Sequence, residues 1–317
     1  IDPIPEENAR QAYRLIDREG ELLMLRADIT LFLAKQLGMR LSDPELPVRV
    51  HYSDSILRYE ARHDISKNEF FQSGVELIGV PGREGDLETL LLLQEALEAA
   101  GAAKYALHLG SGALLRATAE SVQPGEDAEV ESLRELVLGR RFGELEEHLL
   151  SGAGEKLFPE RAAALTELYR LIGTPAEIED AVAPFRELLT TEEQNELTYL
   201  VDLARNLLEL RTAPVDRPLR IDLSEVGSRS YYTGIAFQAY VDRLDSAIAN
   251  GGRYDTLLAA FGFPAPSVGF SLLPRKIASL DHSHRESPAV QTAPGASFPE
   301  RYLAAQQIRG TGKRVRL

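Results

Sequence analysis

The sequence has no cysteine and no long hydrophobic run. Without cysteine, disulfides and thiolate metal sites are excluded, and no other pattern predicts a metal site. No apolar stretch reaches the roughly 18 residues that a membrane-spanning helix needs, so no membrane span is predicted. The first ten residues also lack the apolar core of a secretory signal. Together these features predict a cytoplasmic protein, although a chain without cysteine is also compatible with export.

Positive charge is scarce as well. The chain has 35 Lys and Arg residues against 49 Asp and Glu residues, which gives a formal net charge of −14. Proteins that bind nucleic acid usually neutralise its phosphates with clustered Lys and Arg, so nucleic acid is not expected as a main partner. The remaining composition, 44% hydrophobic and 26% charged, is typical of a globular protein, and 317 residues suffice for more than one domain.

Residues 47–79 predict three strands. Residues 48–52 and 56–60 are rich in β-branched and aromatic side chains, and a Ser/Asp turn is expected between them. Residues 69–78 form a longer segment in which apolar and polar side chains alternate.

One face of the third predicted strand is polar. Gln72, Gly74 and Glu76 share this face because successive strand side chains point to opposite sides. Arg58 and Glu60 are likewise two residues apart on the preceding strand. A sheet floor that binds a charged small molecule has this pattern, and so does a solvated sheet face. The residue pattern alone leaves both interpretations open.

The rest of the chain predicts an α+β protein, with an antiparallel sheet flanked by helices. Further strands are expected at 21–25, 104–109, 219–223, 235–241 and 267–273, with helices at 31–37, ended by Gly38, and at 85–100, capped by Asp86. A Gly-Gly turn at 251–252, followed by a short helix, is expected between the strands at 235–241 and 267–273. The predicted domains are a core of residues 1–124 and 212–280, a helical insertion at 125–211, a linker at 281–298 and the start of an α/β domain at 299–317.

Several blocks of the sequence resemble the class II aminoacyl-tRNA synthetases, and most closely their histidyl branch. RYE at 58–60 and FFQSGVELIG at 70–79 are similar to motif 2 of that class. Further matching blocks are LRADIT at 25–30, SYYTG at 230–234, GGRYD at 251–255 and VGF at 268–270. The resemblance covers about half of the chain. Against this family both ends look incomplete, since motif 1 is absent and only the beginning of the last domain is present.

The resemblance implies a binding site for histidine. In the family, the residues that match Asp28 and Thr30 hold the ammonium group of the amino acid. From the residues alone, Asp28 is equally suited to cap the helix that follows it. The candidate histidine-binding residues are Asp28, Thr30, Arg58, Gln72, Glu76, Tyr231 and Tyr232.

The arginines that bind phosphate in the family are missing here. Ser66 and Asn68 stand at the arginine positions of the motif 2 loop, and Gly227 replaces the arginine that precedes the tyrosine pair. Arg229, two residues further on, is a candidate for partial replacement. Catalysis at the α-phosphate of ATP depends on such fixed positive charge.

The third motif also departs from the family pattern. Pro274 stands where a helix is expected to run, and Lys276 takes the position of the adenine-binding arginine. The residues that match the family's amino-acid site are thus retained, while residues that match its ATP site are replaced.

This combination resembles the histidyl-tRNA synthetase paralogues that serve as regulatory subunits of ATP phosphoribosyltransferase, in the first step of histidine biosynthesis. The resemblance implies a subunit that is not itself catalytic and needs no cofactor. It implies a dimer within a hetero-oligomer, a short-form catalytic subunit as partner, and feedback by histidine. The alternatives are a divergent histidyl-tRNA synthetase and a stand-alone amino-acid-binding module.

Overall fold

The computed structural model describes residues 6–40, 45–59, 68–102, 104–151, 157–210, 218–242 and 244–280, together with short pieces between 290 and 316. Residues 1–276 form one compact unit and residues 277–317 form a second.

The strands and helices follow one another along the chain with short connections. The strands are β1 Arg14–Ile16, β2 Leu22–Met24, β3 Val48–Leu57, β4 Glu69–Ile78, β5 Ala106–Ser111, β6 Ile172–Gly173, β7 Leu219–Asp222, β8 Ile235–Tyr240, β9 Ala249–Arg253 and β10 Ser267–Leu272. The helices are α1 Glu6–Gln11, α2 Ile29–Arg40, α3 Gly82–Ala99, α4 Gly112–Val122, α5 Asp127–Leu138, α6 Phe142–Ser151, α7 Pro159–Arg170, α8 Pro175–Val182, α9 Thr191–Leu210 and α10 Pro274–Ala278, with 3-10 turns at Ala183–Leu188 and Leu258–Phe261.

Eight of the described strands form one sheet in the order β3-β4-β10-β9-β8-β5-β7-β6. Its neighbouring strands are antiparallel, except that β5 and β7 run parallel. The predicted α+β class, with a largely antiparallel sheet flanked by helices, is therefore confirmed. Strands β1 and β2 form a separate hairpin, of which only the second strand was expected from the sequence.

The turn expected within residues 53–55 is wrong, because β3 runs without interruption from Val48 to Leu57. It pairs with β4 along its whole length. The polar residues that suggested a turn have partners in the sheet: the Ser53 and Ser73 hydroxyls lie 2.8 Å apart, and Ser55 donates to Glu69 at 2.9 Å. Hydrogen bonding to β4 has therefore outweighed the local preference of these residues for a turn. The predicted position of Glu60 lies outside the described residues.

The Gly-Gly turn expected at 251–252 is also wrong. Both glycines lie inside β9, which is hydrogen-bonded to β8 on one side and to β10 on the other. The expected short helix does follow, as the 3-10 turn at Leu258–Phe261. Pro274 likewise does not interrupt a helix. It occupies the first turn of α10, where its missing N–H costs nothing.

Two helix boundaries differ from the prediction. Helix α2 continues past Gly38, whose missing side chain lets the carbonyl oxygen of Phe261 approach. Helix α3 begins at Gly82, so Asp86 lies within its first turns instead of capping it. Asp86 is buried and accepts hydrogen bonds from Tyr199 at 2.6 Å and from Arg253 at 2.7 Å. These bonds connect α3 to α9 and β9.

Helices α5 to α9 lie between β5 and β7 in the chain, with the two-residue strand β6 among them. Helix α9 packs against β5 and β7, which places this helical region on the sheet. In the second unit, Val290–Gln291 pairs in parallel with Val315–Arg316. The rest of the predicted linker at 281–298 lies outside the described residues. Within the described part of the chain, no helix is long and apolar enough to cross a membrane.

Candidate functional site

All seven residues predicted for histidine binding line a single pocket over the sheet. They come from the first turn of α2 and the residue before it, from the residue that follows β3, from β4 and from the loop between β7 and β8. The pocket is also lined by residues that were not predicted as site residues: Tyr52, Arg229, Asn250, Tyr254, Gly269, Phe270 and Ser271. Residues far apart in the sequence meet here because β4, β10 and β9 are adjacent in the sheet.

The polar face of β4 is buried, so a solvated sheet face is the wrong interpretation. Glu76 is 2% exposed and Gln72 is 7% exposed, while Phe71 on the opposite face is only partly buried. A buried polar row on a strand is costly unless its groups are paired. This cost argues for a binding site.

Glu76 is the most deeply buried charged residue of the pocket. Thr30 donates its hydroxyl to Glu76 Oε1 at 2.7 Å, and the Tyr254 hydroxyl donates to Oε2. Burial raises the pKa of Glu76 to about 8, an effect that the two hydroxyl donors oppose and the nearby carboxylate of Asp28 adds to. Most Glu76 carboxyls therefore keep their proton at pH 7 until a cation or a further donor approaches.

Asp28 has two roles in the structure. Its Oδ1 accepts the backbone N–H of Leu31 at 3.0 Å, so it caps the start of α2 as the sequence allowed. Its Oδ2 faces the pocket, where the Tyr231 hydroxyl donates to it at 3.3 Å and Arg229 Nε lies at 3.6 Å. The capping role and the binding role are thus compatible, because each uses a different oxygen.

Arg58 extends along the rim of the pocket. Its guanidinium donates to the carbonyl oxygen of Ala27 at 3.1 Å and lies 5.7 Å from the centre of the Phe70 ring. The backbone contact fixes the guanidinium beside the residue that precedes Asp28. A positive charge is therefore present at the mouth of the pocket.

Three tyrosines wall the pocket on one side. The Tyr231 ring is edge-on to Tyr232 at 5.2 Å and to Tyr254 at 5.8 Å between centroids. Burial raises the pKa of each hydroxyl, so all three remain neutral donors at physiological pH. The cluster offers an apolar surface with hydroxyls at its edge, which suits a flat polar ring.

With the side chains as placed, the pocket holds about 20 Å³, which is room for about one water molecule. A cavity of about 600 Å³ adjoins it and shares Arg58, Gln72 and Asn250 with it. Gly269 of β10 lies opposite Glu76, and its missing side chain leaves the space that the carboxylate occupies. A ligand of amino-acid size therefore does not fit this volume unless side chains of the pocket move.

The positions that carry ATP-binding arginines in related synthetases are used differently here. Asn68 is buried and donates to the Tyr13 hydroxyl at 2.6 Å. Lys276 Nζ donates to Ser246 Oγ at 2.6 Å and to the Ala247 carbonyl oxygen at 3.4 Å. Ser66 lies outside the described residues. Asn68 and Lys276 thus form hydrogen bonds with other residues of this chain.

Two pocket residues were accessible to sequence reasoning but not assigned. Tyr254 belongs to the GGRYD block, yet its contact with Glu76 depends on the pairing of β9 with β10 and of β10 with β4. Arg229 was considered only as a replacement for the arginine missing at Gly227. His108 of β5 lies outside the pocket and contacts Asp222 at 3.1 Å. No metal-binding group of three His, Asp or Glu side chains occurs among the residues that the structure describes.

Comparison with known proteins places this site in a family. The sequence profile of the histidyl-tRNA synthetase family matches residues 4–277. The ATP phosphoribosyltransferase regulatory subunit of Moorella thermoacetica is 35% identical over 274 residues, 85% of this chain and 66% of that protein. The protein of the same name from Bacillus pumilus is 31% identical over 309 residues, 96% of this chain and 76% of that protein.

A solved structure shows the same fold. The ATP phosphoribosyltransferase regulatory subunit/histidyl-tRNA synthetase from Bacillus halodurans superimposes with a TM-score of 0.73 at 28% identity, over 98% of this chain and 78% of that one. The chain spans just under two thirds of the length of the first curated relatives that it matches.

Proposed function

This chain belongs to the family of ATP phosphoribosyltransferase regulatory subunits, a branch of the histidyl-tRNA synthetase family, and from this premise we propose that it is a non-catalytic regulatory subunit. In this proposal it joins a short-form catalytic subunit in a hetero-oligomer. That complex carries out the first step of histidine biosynthesis, and histidine bound to this chain provides the feedback. The cytoplasmic location expected from the composition stays a prediction.

One contrast within the site carries the proposal. The amino-acid floor is assembled, with Glu76, Gln72 and Asp28 buried around a common pocket. Lys276, which lines the adjoining cavity, donates to Ser246 and to the Ala247 carbonyl oxygen, and position 227 in the loop before the tyrosine pair is a glycine. A charged transition state at phosphorus requires preorganised cations. Binding of an amino acid without its activation by ATP fits this arrangement best.

Histidine matches the pocket because it brings two separate N–H donor groups. Two carboxyl groups face the pocket, Asp28 near the mouth and Glu76 on the floor. An amino acid with a neutral apolar side chain would add a donor to only one of them, through its ammonium group, and the other would keep only its protein partners. The imidazole of histidine supplies the second donor, and the tyrosine wall supplies a surface for its ring.

The test is reconstitution. The full chain is purified alone and together with a short-form catalytic subunit, and phosphoribosyl transfer to ATP is measured with and without histidine. We expect no transfer by this chain alone, activity in the mixture, and inhibition of that activity by histidine. Failure to co-purify with the catalytic subunit, or equal activity of that subunit without this chain, refutes the proposal.

The same preparation separates the proposal from its main alternative. A divergent histidyl-tRNA synthetase would exchange pyrophosphate with ATP when histidine is present, because it must activate histidine before transfer. We expect no histidine-dependent exchange above the blank. Exchange at enzyme-like rates would instead establish an aminoacylating enzyme. A stand-alone amino-acid-binding module would bind histidine and neither exchange pyrophosphate nor activate the partner.

We further propose that two copies of this chain associate through the β1–β2 hairpin. The side chains of both strands are exposed, and the facing pair Ile16 and Leu22 is 71% and 65% exposed. The hairpin is apolar, and among the described residues it forms a sheet of two strands only. Exposed apolar strands at a sheet edge mark association surfaces. Leu23 and Met24 of the same hairpin add to this apolar surface.

Substitution of the facing pair tests this association. Ile16→Lys and Leu22→Lys, separately and together, are expected to shift the molecular mass in analytical ultracentrifugation from dimer to monomer. Phe158→Lys is the matched control, because Phe158 is an equally exposed apolar residue that precedes α7. A parent that is monomeric at all concentrations, or a mass that responds to the control and not to the hairpin variants, contradicts this assignment.

A further inference from the structure

We infer that Arg229 binds the carboxylate of the amino acid and so makes the pocket selective for amino acids over amines. This inference rests on the proposed function, since it concerns the same pocket and ligand. Arg229 lies in the loop between β7 and β8, is 9% exposed and lines the pocket. No position in the histidyl pattern assigns an arginine at this point of the loop.

The backbone explains why the cation stands at position 229 and not at 227. Gly227 has a φ of +90°, a conformation that residues with a side chain rarely adopt. A Cβ built at position 227 would lie 2.6 Å from Cδ2 of Tyr232. An arginine at 227 is thus excluded both by its conformation and by contact with the pocket wall. The loop therefore carries its positive charge two residues later.

The position of Arg229 relative to Asp28 determines which ligand group it meets. Arg229 Nε lies 3.6 Å from Asp28 Oδ2, the oxygen that faces the pocket. The ammonium and carboxylate groups of an amino acid are attached to the same carbon. A ligand whose ammonium binds Asp28 therefore has its carboxylate within reach of the guanidinium that is next to Asp28. A guanidinium also suits this role because its donors are arranged to bind a carboxylate in pairs.

The loop that carries Arg229 is held in place from outside the pocket. Arg116 of α4 donates to the carbonyl oxygen of Ser230 at 3.1 Å and to that of Tyr232 at 3.5 Å. Arg229 itself donates to Gln11 of α1 at 3.5 Å. Its guanidinium is therefore oriented before a ligand arrives, which reduces the entropy cost of binding. At 3.6 Å, the contact with Asp28 is longer than a paired ionic hydrogen bond, so a ligand can exchange with it.

The experiment compares histidine with histamine, which has the same imidazole and ammonium groups and no carboxylate. Calorimetry measures both ligands on the parent and on Arg229→Gln and Arg229→Lys. The parent should prefer histidine, and Arg229→Gln should lower the affinity for histidine roughly ten- to hundredfold, the loss expected for one charge-assisted hydrogen bond. Its affinity for histamine should change little. Arg229→Lys should recover part of the preference for histidine.

The outcomes separate the two proposals. A parent that binds neither ligand refutes the histidine pocket, and this inference with it. A parent that binds both equally, or a substitution that weakens both ligands by the same factor, refutes the role of Arg229 and leaves histidine binding intact. Thermal unfolding of each variant establishes that it is folded. If Arg229→Gln does not fold, the ratio of the two affinities in Arg229→Lys relative to the parent decides the question.

Discussion

Histidine binding should release a proton from Glu76. The buried carboxyl keeps its proton up to a pKa of about 8, and an approaching N–H donor or cation favours the ionised form. If only the ionised form binds, the apparent affinity scales with the ionised fraction. For a pKa of about 8, this fraction is about one eleventh at pH 7 and about one half at pH 8. Affinity should therefore rise about fivefold between these pH values.

Calorimetry in buffers of different ionisation enthalpy, such as phosphate and Tris, counts the protons directly. We expect roughly 0.9 proton released per histidine at pH 7 and roughly 0.5 at pH 8, from the same fractions. Glu76→Gln should abolish this release, remove the pH dependence and weaken binding by about one to two powers of ten at pH 8. The protons that histidine itself gains or loses on binding are measured with Glu76→Gln, and this number is subtracted from the number found for the parent.

A second buried carboxyl provides the matched control. Burial raises the pKa of Glu225 to about 7, yet Glu225 bonds to Gln238 outside the pocket. Glu225→Gln should therefore leave the proton release on histidine binding unchanged. An affinity that is flat between pH 7 and pH 8, or the same proton count in the parent and in Glu76→Gln, would refute the reasoning.

Three further predictions concern stability. Arg253→Gln leaves the buried Asp86 carboxylate without its charged partner, and chemical denaturation should show a loss of about 3–5 kcal/mol. Gly227→Ala should destabilise the fold by about 1 kcal/mol or more in the same assay, because of its positive φ and the contact with Tyr232. The ligand-free protein should melt at a lower temperature as the pH rises from 5 to 8, since unfolded Glu76 loses its proton at lower pH than folded Glu76.

Each of these three stability predictions has a control variant or a result that would contradict it. Arg205→Gln removes an exposed ion pair with Glu179, so its loss should stay below about 1 kcal/mol. A loss for Arg253→Gln of similar size would mean that the buried pair contributes no more than a surface pair. If Gly227→Ala is as stable as the parent, the loop between β7 and β8 must adjust to the added methyl group. A melting curve in Glu76→Gln with the same pH slope as the parent would exclude Glu76 as its source.

The sequence predicted best those elements whose side-chain pattern is long and regular. Strand β4 has the expected bounds of 69–78, and the long helix α9 lies within the predicted helical insertion at 125–211. In both, many residues agree on one periodicity, so one or two atypical residues do not change the prediction. The errors at 53–55 and 251–252 arose where polar residues or glycines signalled a turn. There, hydrogen bonds to neighbouring strands decided the structure, and no local window contains those strands.

The candidate site was predictable as far as family motifs reach. Asp28, Thr30 and Glu76 could be named because each stands in a recognisable block. The contacts between them could not, since they depend on strand order: Tyr254 reaches Glu76 only because β10 lies between β9 and β4. The size of the pocket could not be predicted from the sequence either. It depends on the rotamers of buried side chains, which no sequence pattern specifies.

Gly269 determines the volume of the pocket separately from its charge. A Cβ at this position would lie 1.7 Å from Glu76 Oε2 and 2.5 Å from the carbonyl oxygen of Val75. One added methyl group would therefore press on the Glu76 carboxylate and on the backbone of β4, and so obstruct the floor. If the chain senses histidine as proposed, a single codon change at Gly269 would block that sensing without altering any charged group of the pocket. On the same proposal, a complex with this change would keep its activity at histidine concentrations that inhibit the parent.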